Sequence, residues 1–514
     1  MKATKTAKLV TGLKNKGSQF ALIGLICLSM AASLFVSFSG DLFQIGLLAL
    51  MLLCSLSFFP FEMEVSDTPL LLLMLGTIAF GRSFSLLAVN VKGIPLYVTE
   101  MAIAASVLLL FVKKWKTLWR DWTVPLPSGL AVAIAVYFGL GVLYTAVGVM
   151  GNGSVAFRDI VFCLYSVLLF IALSLLNGKE KLRVFFRFLL PAVGVLLFIC
   201  SVLFFFRIPA ERAFRQAVLD VKMPNIGLYC GLIVIAGFSF YTLVRKQRKL
   251  ILGLVIYLAF LFVLMAEVRA AWVGLLVAFI FLGILLKKEF KIFFLIFVLI
   301  VVSFFIIDYF DLGVQKNKLS SLQEKVSSVT RGGEGTMPAA NIKFRLNLWK
   351  QTWHEIKEYP VFGWGYGIQI DYVIWRKPVS LLRAMGNLTG PVPPHNHLMA
   401  ITYKMGFFGL LLFLFINARI FFYGLSHVKK CRSEFDRRLL IALLAGVIYW
   451  HGMAFFFDIL ESPPTGIFLW IMLGAILAII HKEQKPLNLK NQKMVTPNQT
   501  FLPRFFQKAG RRRQ

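Results

Sequence analysis

Charged side chains are scarce in this chain: Asp, Glu, Lys and Arg make up 15% of its 514 residues, whereas 58% are apolar. A soluble domain has roughly a quarter of its residues charged, because its surface needs polar cover. A chain so poor in charge cannot hide this much apolar surface from water. The composition therefore excludes a soluble globular protein and indicates an integral membrane protein.

Acidic residues are rarer than basic ones, at 24 against 55, which gives a formal net charge of +31. Such an excess can indicate nucleic-acid binding, but here the basic residues are dispersed between apolar runs. Lys and Arg in short loops are the signature of cytoplasmic orientation. We therefore predict no nucleic-acid partner and interpret the charge as a feature of membrane topology.

Motifs for cysteine, metal and cofactor chemistry are missing as well. The six cysteines have no partner at metal-ligand spacing and form no framework of exposed pairs. In "PHNH", His395 and His397 lie close together, but a zinc site needs three or four ligands and the long loop adds only His354. We therefore predict neither a metal nor a cofactor. His395 beside Asn396 is equally consistent with a catalytic base and with a helix cap.

The "GWGYG" stretch (363–367) is not a phosphate-binding loop, because it lacks the lysine and the spacing that cradle nucleotide phosphates. We interpret Gly363, Gly365 and Gly367 as loop residues that permit tight turns and close approach of the backbone.

Long apolar runs are abundant instead. A spanning helix needs about 20 mostly apolar residues, and we predict spans at 18–38, 42–60, 68–89, 95–112, 124–148, 156–176, 184–206, 225–243, 250–266, 270–286, 290–307, 399–424, 438–457 and 464–481. If the lysine-rich N-terminus is cytoplasmic, every second loop is basic except "EMEVSD" (62–67), as the positive-inside rule requires. The first span follows a basic stretch, as a signal peptide would, but its long apolar core favours an anchor.

One loop, 308–398, is far longer than the others, and connections of this length are usually functional or disordered. It divides the chain into five predicted parts: a basic cytoplasmic N-terminus (1–17), transmembrane helices (18–307), the extracytoplasmic loop (308–398), further transmembrane helices (399–481) and a basic cytoplasmic tail (482–514). Within the loop, residues 338–359 have helical periodicity, with Ile342, Leu346, Trp349, Trp353 and Ile356 forming one apolar stripe. This helix should lie along the membrane interface, with Arg345 at the edge of the stripe.

Charges inside apolar runs are costly in lipid and therefore need an explanation. At 1.5 Å per residue, Arg82 lies roughly 12 Å inside the third span and Glu100 about 7 Å inside the next, both counted from the outer side. A structural ion pair between them is one interpretation and a site the other. Arg158 and Asp159, at the outer start of the sixth span, allow a similar local pair.

Arg269, in "EVRAAW", occupies a short outer turn, where the positive-inside rule disfavours an ordinary snorkelling anchor. The outer loop "RIPAERAFRQ" (207–216) adds Arg207, Arg212 and Arg215. Guanidinium groups bind phosphate with two parallel hydrogen bonds and stay charged. The outer arginines therefore indicate a lipid that carries phosphate or diphosphate, or, more simply, contact with anionic membrane lipids.

The order of these motifs is distinctive: "EVRAAW" opens a span, a long loop carries "FRLNLWKQTWHEIKEYPVFGWGYG", and "PHNHLMAITYKMGFFGLLLFL" leads into the next span. From about residue 255 to 420 the chain resembles the O-antigen ligase and O-antigen polymerase superfamily of bacterial membrane proteins. The resemblance implies an all-α, polytopic protein of about 12–14 transmembrane helices in the bacterial plasma membrane. About twelve helices are usual in the ligases, whereas the predicted spans of this chain number fourteen.

The resemblance also implies a metal-independent glycosyltransferase with its active site on the outer side. Its donor would be a glycan on polyprenyl diphosphate and its acceptor a hydroxyl of a glycan or a lipid-linked molecule. The family's catalytic residues look like Arg269, Arg345 and His395. Arg82, Arg158, Arg212, Arg215 and Asn396 are weaker predictions for substrate binding. The alternatives are a polymerase of the same superfamily and, from another class, a flippase for lipid-linked glycans.

Overall fold

The computed structural model describes residues 70, 73–74, 77–78, 88–91, 94–114, 126–153, 156–176, 193–194, 196–197, 200–201, 223–266, 268–287, 337–368, 394–457 and 463–484. The predicted spans 18–38, 42–60 and 290–307 lie outside these residues, as do Arg82, Arg212 and Arg215. Contacts divide the chain into two compact units, 1–119 with 180–222, and 120–179 with 223–514.

The first unit contains a short β-hairpin followed by a helix. Strands β1 (Ala88–Val91) and β2 (Ile94–Tyr97) pair antiparallel, with Ala88 opposite Tyr97, and helix α1 (Val98–Lys114) follows β2 without a break. Branched residues such as Val89 and Ile94 favour strands. The hairpin separates the predicted spans 68–89 and 95–112 and takes a few residues from each. In the described part of the chain it is the one exception to the helical class.

The second unit is a bundle of helices, which we label in chain order: α2 (Leu130–Asn152), α3 (Ala156–Asp159), α4 (Val161–Leu164), α5 (Val167–Leu175), α6 (Met223–Phe240), α7 (Lys246–Met265), α8 (Arg269–Leu285), α9 (Met337–Glu358), α10 (His397–His427), α11 (Glu434–Ala454) and α12 (Pro463–Gln484). Where the structure describes them, the predicted spans overlap these helices, although 156–176 is divided into three pieces.

Among the described residues, five helical segments are long and apolar enough to cross a membrane: Leu130–Asn152, Asn225–Leu243, Lys246–Met265, His397–Lys430 and Thr465–Gln484. Shorter apolar helices, including Arg269–Leu285, accompany them. The predicted all-α, polytopic membrane class is therefore confirmed. The total number of spans stays a prediction, because several predicted spans lie outside the described residues.

Small residues let the helices of the bundle approach closely, as is common between membrane helices. A Cβ placed on Gly452 of α11 would lie 2.6 Å from the Cα atom of Gly274 on α8. A Cβ on Gly227, near the start of α6, would lie 3.2 Å from the Cβ atom of Ala271 and 3.9 Å from Met453. The starts of α6 and α8 and the end of α11 therefore meet at one end of the bundle, which we call the site end.

Helix α9 packs against α10 with a face that coincides only in part with the predicted apolar stripe. Leu348, Thr352 and Ile356 are buried, whereas Leu346 and Trp353 are 55% and 46% exposed. An exposed apolar side chain is acceptable in a protein surrounded by lipid, so apolarity alone does not identify the inner face of such a helix. Arg345, one turn before Leu348, therefore lies on the inner side of α9.

Candidate active site

Arg345 is held over the end of α11. Its Nη1 group donates a hydrogen bond to the backbone carbonyl of Phe456 at 3.1 Å, and its guanidinium carbon lies 4.9 Å from the ring centroid of Phe457. A planar guanidinium can stack on an aromatic ring and donate in its own plane at the same time. These contacts fix the orientation of the guanidinium group while keeping its charge.

His395 lies in a turn that is fixed on both sides. Before it, the carbonyl of Pro394 accepts a hydrogen bond from the indole Nε1 of Trp349 on α9 at 2.8 Å. After it, the Asn396 side chain accepts from the backbone N–H of Met399 at 3.1 Å and caps α10. The helix cap is therefore Asn396, and His395 is left for another role.

The backbone of His395 has a φ of 50°, in the left-handed region that residues other than glycine rarely adopt. Strained conformations of this kind persist where surrounding contacts impose them, and they occur frequently at functional sites. Here Trp349 and the Asn396 cap supply those contacts, and the His395 side chain is half-buried.

Burial of the His395 ring lowers its pKa, and the positive charge of Arg345 lowers it further, to about 4. The two side chains are thus electrostatically coupled, although they are fifty positions apart in the sequence. At neutral pH His395 is therefore an uncharged imidazole, with one ring nitrogen able to accept a proton.

His397 has different surroundings from His395. Its ring is fully buried inside the bundle, 4.9 Å from the Phe413 ring and 5.2 Å from the Trp450 ring, measured between centroids. Neither of its ring nitrogens has a hydrogen-bond partner among the described residues. Within that same part of the chain, no group of three or more His, Cys, Asp or Glu side chains could hold a metal ion.

Arg269 is the first residue of α8 and is half-buried at the site end. It lies five residues outward from Gly274, or about 7.5 Å at 1.5 Å per residue. Since Gly274 contacts Gly452 on the antiparallel helix α11, Arg269 lies at the depth of the residues that follow α11. Those residues include Phe456, which anchors Arg345. The structure thus brings Arg269 to about the level of the Phe456 carbonyl that anchors Arg345.

The "GWGYG" stretch packs against a break in α10. Gly406 interrupts that helix with a φ of 66° and a ψ of −176°. The N–H groups of Phe407 and Phe408 therefore cannot form the usual helical hydrogen bonds to the carbonyls of Tyr403 and Lys404. Backbone groups left unpaired in lipid would be costly.

Four hydrogen bonds to the loop satisfy these same groups. The carbonyls of Tyr403 and Lys404 accept from the N–H groups of Trp364 and Gly365, at 2.8 and 3.0 Å. The N–H groups of Phe407 and Phe408 donate to the carbonyls of Pro360 and Val361, at 2.8 and 3.1 Å. The loop therefore replaces the missing turn of helix.

Glycine is required where the loop and the helix meet. Gly363, Gly365 and Gly367 all have positive φ, from 70° to 88°. A Cβ on Gly363 would lie 2.5 Å from the backbone nitrogen of Gly406. The glycines thus permit both the turns and the close approach that the sequence predicted.

Other predicted residues have different positions. Arg158 lies on the short helix α3, where the structure describes its backbone but not its side chain. Its neighbour Asp159 forms an ion pair with Lys404 of α10, at 2.5 Å. Glu100 accepts a hydrogen bond from the hydroxyl of Thr99 at 2.7 Å.

Lys404 was not predicted, although a lysine within an apolar run is a recognisable signal. The role of Trp349 was not predicted either, and no sequence signal for it exists.

Comparison with known families gives one match. Residues 252–414 match the family model described as O-antigen ligase, close to the predicted range of 255–420. No curated protein matches the chain. The matched segment contains all three predicted catalytic residues, Arg269, Arg345 and His395.

The family carries glycosyltransferase-like ligase activity on lipid-linked glycans, in polysaccharide biosynthesis at membranes. Residues 252–414 thus form a domain of the O-antigen ligase superfamily within a multi-pass membrane protein.

Proposed function

We propose that the protein transfers a glycan from polyprenyl diphosphate to an acceptor hydroxyl at the outer face of the plasma membrane. The observation that supports this most strongly is that α9 carries Arg345 and also holds the turn of His395, through the hydrogen bond from Trp349 to the carbonyl of Pro394 at 2.8 Å. A fixed cation beside an uncharged imidazole suits a reaction in which an anion leaves and a hydroxyl loses its proton. The matched family acts on lipid-linked glycans, which supports the proposed donor.

In this mechanism the acceptor oxygen attacks the anomeric carbon of the donor sugar. A new C–O bond forms as the bond between that carbon and the diphosphate oxygen breaks, and the electron pair remains on the diphosphate. Arg345 and Arg269 stabilise the developing negative charge, which is the dominant requirement because diphosphate is already a good leaving group. His395 accepts the proton of the acceptor hydroxyl. Direct attack inverts the configuration at the anomeric carbon.

Donor binding should make His395 a stronger base. In the free protein the positive charge of Arg345 disfavours protonation of the imidazole and keeps its pKa near 4. A diphosphate bound to Arg345 offsets that charge, so the pKa of His395 should rise toward its ordinary value. The histidine would then gain basicity when a donor is present to react.

Neither a metal nor a cofactor has a step in this mechanism, since the two arginines supply the charge that a metal supplies in other transferases. The proposed orientation follows from the distribution of charge along the bundle. Arg269, Arg345 and His395 belong to the site end, whereas Lys429, Lys430 and Arg437 lie near the opposite ends of α10 and α11. By the positive-inside rule the opposite end is cytoplasmic.

The experiment that tests this function is the glycan profile of a deletion strain, complemented with the wild-type gene or with His395→Ala. For a ligase, we expect full-length glycan chains to accumulate on the lipid carrier in the deletion strain. Only the wild-type gene should release them. Single repeat units in place of long chains would identify a polymerase of the same superfamily. Absence of lipid-linked glycan from the outer leaflet would identify a flippase and refute the proposal.

A further inference from the structure

Asp159 and Lys404 form an ion pair inside the bundle. The Nζ atom of Lys404 lies 2.5 Å from Oδ1 of Asp159, and each side chain is 9% exposed. The lysine also lies 5.8 Å from the ring centroid of Phe162. Burial of two charges is costly, and such a pair often stabilises a fold no better than apolar residues would. Its presence therefore calls for an explanation beyond stability.

The same carboxylate also holds the glycine loop. Its second oxygen, Oδ2, accepts a hydrogen bond from the backbone N–H of Gly367 at 2.8 Å. Next to it, the carbonyl of Tyr366 accepts from the side-chain amide of Asn152 at 2.9 Å. Asp159 thus joins three segments: the short helix α3, the broken helix α10 and the end of the loop.

The loop in turn connects the two helices that carry the proposed catalytic residues. The indole Nε1 of Trp364 donates to the carbonyl of Glu355 on α9 at 3.0 Å, and its backbone N–H donates to Tyr403 on α10 at 2.8 Å. Arg345 belongs to α9, and His395 immediately precedes the Asn396 cap of α10. A shift of the loop would therefore change the position of one residue relative to the other.

We propose that the Asp159–Lys404 pair is a positioning device, which locks the glycine loop onto the break in α10 and thereby sets the spacing between Arg345 and His395. The inference rests on the proposed function for the roles of Arg345 and His395. Asp159 and Lys404 are positioning residues that act through the loop, and neither has a part in the chemical step.

Three variants test the inference. Asp159→Asn keeps an oxygen that can accept from Gly367 but leaves the charge of Lys404 buried without its partner, so kcat should fall about tenfold or more. Lys404→Met leaves the carboxylate unpaired and should have a similar effect. The double variant removes both charges and keeps the Gly367 bond. Its kcat should be about as low as that of either single variant, because each of them already lacks the pair and coupled residues are not additive.

A second ion pair with a buried aspartate offers a matched control. Lys482 lies 2.5 Å from Asp436, which is 2% exposed, near the opposite end of the bundle. Asp436→Asn should lower the amount of folded protein but leave kcat per folded molecule unchanged. If Asp159→Asn behaves in the same way, the inference is wrong. It is also wrong if the double variant recovers wild-type kcat, or if it is as slow as the product of the two single effects.

A distance measurement tests the clamp without any activity assay. Spin labels at Lys350→Cys on α9 and Lys429→Cys after α10, both exposed positions, should give one narrow distance distribution in a background without native cysteines. Asp159→Asn should broaden it, and the double variant should leave it equally broad. An unchanged distribution in Asp159→Asn refutes the clamp even if the transferase activity is established. A broadened one supports the clamp even if wild type proves inactive as a transferase.

Discussion

Replacement of Arg345 by lysine is the most direct test of the proposed site. The guanidinium group donates to the Phe456 carbonyl while it stacks on Phe457. An ammonium keeps the charge but has no planar fork, so it cannot keep these contacts and also bind a phosphate with two parallel hydrogen bonds. A hydrogen bond to a charged group contributes about 1.5–3 kcal/mol, so Arg345→Lys should lower kcat/KM roughly ten- to hundredfold. Arg345→Ala should cost more, because the charge is lost too.

The assay is transfer of glycan from purified lipid-linked donor to acceptor in proteoliposomes, at matched protein amounts. Arg419→Lys is a suitable control, because that exposed guanidinium also donates to a backbone carbonyl, that of Ser128 at 3.5 Å, away from the site end. The control should retain wild-type activity. Wild-type kcat/KM in Arg345→Lys would refute two-pronged phosphate binding. An equal loss in both variants would show that arginine-to-lysine changes disturb the fold.

Three other outcomes are expected. His395 must be uncharged to accept a proton, and its pKa is about 4 in the free protein, so kcat/KM should fall only as the pH approaches 4. The fall in kcat should come at a higher pH, because bound donor offsets the charge of Arg345. If both parameters fall together near pH 6.5, the coupling is contradicted. An impermeant thiol reagent should label Lys357→Cys, exposed on α9, but not Gln247→Cys, exposed at the start of α7, and the reverse pattern would invert the topology. Transferase activity should survive excess chelator. If chelator abolishes the activity and a divalent ion restores it, His395 and His397 would have to be reassigned as metal ligands.

The helical membrane class followed from composition and run length, which depend little on tertiary contacts. The family followed from the order of its motifs and is confirmed by the match over residues 252–414. Helix α9 was also predictable, but its inner face was not. In water an apolar stripe marks the buried side, whereas in lipid the apolar Trp353 can remain exposed.

The contacts that join distant segments could not be predicted. Nothing in the sequence pairs Asp159 with Lys404, 245 positions away, and the nearer charge on Arg158 is the natural guess. The glycines of 363–367 predicted turns, but not the broken helix that the loop completes. Such pairings depend on which backbone groups are left unsatisfied once the helices have packed, and that is a property of the assembled fold.

The break at Gly406 has a consequence for biogenesis. Residues 360–365 precede α10 in the chain, so they are synthesised before the helix that they complete. Until they dock, α10 would enter the bilayer with two carbonyls and two N–H groups unpaired, each of which disfavours insertion. Membrane integration of α10 should therefore be assisted in cis by a segment made earlier. Truncated chains that begin after residue 368 should insert this helix less efficiently than the full-length chain does.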